Sequence, residues 1–132
     1  KRVSNHISSF QDFYATVLDL LKLNKPDYID GLSYLPTLLN DKQPEHEYLY
    51  WEFASRGGGQ QALRYGKWKA IKTNLQKANE NLELFDLEKD PKELNDVSIN
   101  HPDVVKKIEK ILTEARTRPT LKNFYIKSLD SD

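Results

Sequence analysis

The chain has 132 residues, and its 20 Lys plus Arg balance 20 Asp plus Glu, so the formal net charge is zero. That length suits one domain of one or two layers, and the charge balance argues against a general polyanion binder, which needs a basic excess to release counterions. With 38% apolar residues, 30% charged residues and a mean hydropathy of −0.73, the sequence excludes a helical membrane span, which takes ~20 consecutive apolar residues.

The first element is predicted over Ser9 to Leu23, where Phe10, Phe13, Val17, Leu20 and Leu21 recur at helical spacing. Ser8 or Ser9 supplies a cap, Asp12 sits in the first turn, and Asn24-Lys25-Pro26 ends the helix. A shorter helix is expected from Ser33 to about Leu39, with Pro36 in its first turn. Glu47 to Phe53 then reads as a strand, with Leu49, Trp51 and Phe53 on one side and Tyr48, Tyr50 and Glu52 on the other. Arg56-Gly57-Gly58-Gly59 is a loop, because three glycines cost too much backbone entropy inside a strand. Gln60 to Arg64 and Lys67 to Lys72 form a hairpin around Tyr65-Gly66, and Leu82 to Leu87 makes a fourth strand closed by Asp90-Pro91. From Pro102 to Arg116, Val104, Val105, Ile108, Ile111, Leu112 and Ala115 form the apolar stripe of a last helix. The segment after Pro119 has no clear period, although Leu121, Phe124, Tyr125 and Ile126 are apolar enough to dock. Strands followed by a helix give an α+β class: a small four-stranded antiparallel sheet packed by a C-terminal helix.

Little here carries chemistry by itself. There is no cysteine, which removes disulfides, thiolate metal ligands and a thiol nucleophile. No Gly-x-Ser-x-Gly elbow, EF-hand loop or Walker-type lysine motif occurs. His46 between Glu45 and Glu47 resembles a metal cluster, but such a group is more often a solvated strand entrance. The most unusual stretch is Arg56 to Gln61: free backbone N–H groups in a glycine loop can form an anion nest, and Arg56 or Arg64 adds charge. A plain hairpin loop is the simpler account. The chain opens on Lys1-Arg2, with no initiator Met and no leader pattern, and reads as a piece of a longer protein.

Three ordered segments carry a resemblance. His46 to Phe53, Gly58 to Ala70 and Leu82 to Glu93 resemble the C-terminal part of formylglycine-dependent sulfatases of the arylsulfatase and carbohydrate-sulfatase type. It extends upstream through Val3-Ser4-Asn5-His6-Ile7, Asp12-Phe13 and Asp30-Gly31-Leu32-Ser33, and downstream to His101-Pro102-Asp103-Val104. The resemblance implies a parent enzyme that hydrolyses sulfate esters with a formylglycine nucleophile and a calcium ion. Neither the Cys/Ser-x-Pro-x-Arg motif nor an Asp-Asp metal pair is present, so catalytic and metal residues are expected to be none in this chain.

On that reading, residues 1–44 are a helical segment leading from the catalytic domain, and 45–132 are the C-terminal subdomain. Arg56, Gln60, Gln61 and Arg64 become the candidate substrate-binding residues. The implied partners are the parent's N-terminal catalytic domain and a sulfated small molecule or glycan, with no nucleic acid and no membrane. The expected location is periplasmic or secreted. The alternative is a stand-alone carbohydrate-binding or structural interaction module.

Overall fold

A computed structural model describes residues 3–54, 58–77 and 81–130. The chain divides into two compact units, Lys1–Glu47 and Tyr48–Asp132.

In the first unit, helix α1 spans Asp12–Leu20 and helix α2 spans Leu35–Leu39. Both are shorter than the periodicity predicts. Helix α1 ends early because Lys22 adopts a left-handed conformation (φ 56°) and the Leu23 amide donates to Leu18 O at 2.9 Å. This closing turn normally takes Gly or Asn, so a lysine there leaves no sequence signal. The start also differs, since neither serine caps the helix. Asp12 does the reverse, its Oδ2 accepting the Ser9 amide at 2.7 Å.

Asp12 is fully buried. Its Oδ1 accepts the Leu32 amide at 2.9 Å and lies 2.8 Å from His46 Nε2. One carboxylate thus ties two later segments to the start of α1. Thr16, one turn on, donates to Asp12 O and accepts the Tyr34 amide. Gly31 makes the close approach possible, because a Cβ there would stand 2.3 Å from Gln11 O. The buried side of α1 is Asp12, Ala15, Thr16 and Leu18. The apolar stripe read from the sequence is largely open: Phe10 is 93%, Phe13 56% and Leu21 61% exposed.

The second unit is a four-stranded antiparallel meander, β1 (Leu49–Phe53), β2 (Gln60–Tyr65), β3 (Trp68–Lys72) and β4 (Leu82–Asp86), in that spatial order. The hairpin turn falls on Gly66-Lys67, one residue later than predicted, because Tyr65 still pairs with Trp68. Across the sheet, Tyr50, Leu63, Ala70 and Leu84 stand opposite one another in register. They face helix α3 (Pro102–Glu114), whose Ile108, Ile111 and Leu112 complete the core. The stripe predicted for this helix is the one that packs. Trp68 lies on this core face, its ring 4.7 Å from that of His101. Trp51 pairs with Ala62 and so points to the opposite face. Strand β4 is an edge, yet Leu84 is engaged on its free side: its amide donates to Asp96 Oδ1 and its carbonyl accepts the Val97 amide. Such cover keeps an edge from pairing with another chain.

After α3 the chain forms a 3₁₀ turn at Lys122–Phe124 and a short helix α4 (Lys127–Asp130). Arg116 anchors this tail. Its guanidinium donates to Asp130 at 2.9 and 2.7 Å and to Glu52 at 2.9 and 3.3 Å. Burial alone would lower the Arg116 pKa, and the hydrogen bonds to Asp130 and Glu52 outweigh it and hold the group above its ordinary value. The same contact keeps Asp130 below the ordinary carboxylate value, against the opposing effect of burial.

Two outcomes are expected. Leu84→Ala, at a position with no exposure, should cost about 2–5 kcal/mol in urea unfolding. Asp86 is also held low, first by its bond to Lys67, as is Asp90, first by the Asn95 amide. A depressed carboxylate stabilises the fold above its unfolded pKa and loses that contribution as pH falls through the folded value. The urea midpoint should therefore be flat from about pH 7 to 5 and fall below about pH 4.

Candidate functional site

The four candidate residues lie on or just before β2, and strand alternation separates them. Gln60, Ala62 and Arg64 share one face, while Gln61 and Leu63 share the other. Arg56 lies outside the described residues. Trp51 pairs with Ala62, so it stands between the rows that hold Gln60 and Arg64. Gln60, Trp51 and Arg64 are each half-buried. Together they form a surface with an aromatic ring flanked by a carboxamide and a guanidinium. Arg64 Nε donates to Gly66 O at 3.3 Å, which turns the side chain back over the hairpin. Lys69 stands next to Arg64 in register and is bound by both oxygens of Glu93, at 2.6 and 2.7 Å.

Gln61 is 3% exposed and turns toward α3. Its Nε2 donates to the Tyr50 hydroxyl at 2.9 Å and to Glu52 Oε2 at 3.2 Å, and Tyr50 also donates to Glu52. Burial first, and then the bond to Glu52, push the Tyr50 phenol well above its ordinary value, so it stays a donor. The network runs on from Glu52 through Arg116 to Asp130. Gln61 also borders a cleft of about 510 Å³ that Lys72, Glu109, Arg116 and Arg118 line.

A second cleft, of about 340 Å³, lies beside Ala54 at the end of β1 and is lined by Glu52, Ala54, Pro119, Thr120, Leu121 and Phe124. Leu121 and Phe124 are more than half exposed. Sequence reasoning missed Glu52, Arg116 and Asp130 as a group, because Glu52 and Arg116 lie 64 residues apart and Arg116 and Asp130 lie 14 apart. A buried Arg between two acids has no local period to betray it.

The residues present do not suit the calcium ion and formylglycine that the resemblance implies. Among the described residues no group of His, Asp and Glu could hold a metal. The acids that do converge, Glu52 and Asp130, are already bridged by Arg116. His46 is committed to Asp12. Among the described residues, no helix is long and apolar enough to cross a membrane.

The family described as N-sulphoglucosamine sulphohydrolase, C-terminal, matches residues 1–118. Arylsulfatase K of Gallus gallus is 32% identical over 115 residues, which is 80% of this chain and 21% of that protein. An N-acetylgalactosamine-6-O-sulfatase of Bacteroides thetaiotaomicron is 29% identical over 120 residues, 81% of this chain and 23% of that protein. Among solved structures, a 2-O GAG sulfatase superposes with a TM-score of 0.68 at 24% identity, over 79% of this chain and 23% of that one. The chain therefore spans about a fifth to a quarter of the length of the relatives it matches. It is α+β as its sequence predicts, and it belongs to the N-sulphoglucosamine sulphohydrolase C-terminal family of sulfatase domains.

Proposed function

We propose that this chain is the C-terminal subdomain of a sulfatase acting on sulfated carbohydrate, contributing structure and substrate contacts rather than the hydrolytic step. The observation that carries the reading is the family match over residues 1–118 in a chain that covers only 21–23% of its sulfatase relatives. The nucleophile and metal of a formylglycine sulfatase then belong to the catalytic domain, the chain's principal partner. The open face of α1, with Phe10, Phe13 and Leu21, is apolar surface of the kind such a domain covers. The parent is periplasmic or secreted, where sulfated glycans are met.

Within that reading, Gln60 and Arg64 are the contact residues, and Arg56 joins them on sequence grounds. A half-buried Trp51 between them suits a sugar ring, which stacks on an aromatic face while its hydroxyls and sulfate bond to the flanking groups. Gln61 lies on the opposite face, bonded to Tyr50 and Glu52. An aryl or glycan sulfate reaches the site by local recognition, since the chain has no net charge to steer it.

Three measurements check this. The 132-residue chain supplied with calcium and a chromogenic aryl sulfate should show no turnover, and turnover would overturn the division of labour. In the enzyme that carries this chain, Arg64→Ala should raise KM roughly tenfold or more with kcat little changed, the signature of lost binding by one charged hydrogen-bond donor. An unchanged KM would leave the subdomain a structural buttress. Specific micromolar binding of a sulfated sugar by the isolated chain would favour the binding-module alternative.

A further inference from the structure

The tail from Arg116 to Asp130 runs past residue 118, where the family match ends. It also adds no residue to the core that α3 forms with the sheet. Yet Ile126 is fully buried and Leu75 is 1% exposed. The tail packs instead against the Leu75–Lys77 turn and Gly59, and Gln76 ties it to Ala54.

Three contacts define that packing. Gly59 has φ +85°, and a Cβ on it would stand 3.3 Å from Leu75 Cβ, 3.4 Å from Ile126 Cγ2 and 3.5 Å from Gln76 Cγ. The Leu75 amide donates to Gly59 O at 3.2 Å. The Gln76 carboxamide then joins both parts. Its Nε2 donates to Ala54 O at 3.3 Å and to Tyr125 O at 2.8 Å, and its Oε1 accepts the Lys127 amide at 3.0 Å. Arg116, on Glu52 and Asp130, fixes the same tail two residues upstream of Ala54.

We infer that the tail is the element that positions Ala54 and Gly59 on either side of the β1–β2 connection, and with Gly59 the adjoining Gln60, with Gln76 and Arg116 as positioning residues. The inference deepens the substrate reading above and rests on it for its catalytic consequence. Pro119, Thr120, Leu121 and Phe124 form the tail's wall of the cleft beside Ala54. A segment beyond the matched region would thereby hold Gly59, the residue before Gln60, which makes it a determinant of how that contact residue meets substrate.

The test compares the full chain with Gln76→Ala and with a chain ending at Arg118. Amide hydrogen exchange is read at Leu75, which reports the contact with Gly59, and at Ile108, buried in the middle of α3, which reports the core. Exchange at Leu75 should accelerate at least tenfold while Ile108 changes less than twofold. Unchanged protection at Leu75 would overturn the inference, and so would equal acceleration at both sites, which would make the tail part of the global fold. In the enzyme that carries this chain, Gln76→Ala should raise KM for a sulfated glycan at least fivefold with kcat preserved. Faster exchange at Leu75 with unchanged KM would support the positioning role and overturn the substrate reading instead.

Discussion

A sheet has two faces, and helix α3 covers one of them. Helix α3 seals Leu63, Ala70 and Leu84, and every residue of β2 must then fall on the sealed side or the other. That constraint places Gln61 inside the hydrogen-bond network and Gln60 and Arg64 outside it. It also leaves Trp51 and Ile71 on the face that α3 does not cover. Whatever the subdomain offers to a ligand or a neighbouring domain from β2 is drawn from this second set.

The polar residues of the sealed side are costly unless satisfied. Gln61, Tyr50, Glu52, Arg116 and Asp130 satisfy each other. Side chains of Glu52 and Arg116 are 16% and 11% exposed and that of Asp130 is 1% exposed, so the charges are largely removed from water. Removing one partner from such a group leaves another charge buried and unpaired, which is worth more than the bond itself. The network therefore enforces one arrangement of tail and sheet, where hydrophobic contact alone would tolerate several.

Much of this fold is legible in the sequence. Aromatic content marks β1, the Tyr65-Gly66 turn marks the β2–β3 hairpin, Asp90-Pro91 marks the end of β4, and the stripe of Val104, Ile108, Ile111 and Leu112 marks α3. These elements bury one face against partners near in sequence, so local pattern and final packing agree. The first unit is less legible. Phe10, Phe13 and Leu21 look like the inward face of α1, whereas the unit buries Asp12 and Thr16. A carboxylate satisfied by two amides and a histidine can be buried as readily as a leucine, and no periodicity scale credits it. The site divides in the same way. Gln60 and Arg64 could be picked from the glycine-loop neighbourhood, while Gln76 could not, because its partners lie 22 to 51 residues away.

The Arg116 bridge also links substitutions across the limit of the shared domain. Arg116 belongs to the matched segment and Asp130 does not. A relative without a carboxylate at the second position would leave the guanidinium with Glu52 alone, in a site dry enough to penalise the unbalanced charge. Its lineage could accept that loss only by changing position 116 as well. The appended tail thus restricts which sequences the common domain can explore, and the two positions should vary as a pair among proteins that carry such a tail.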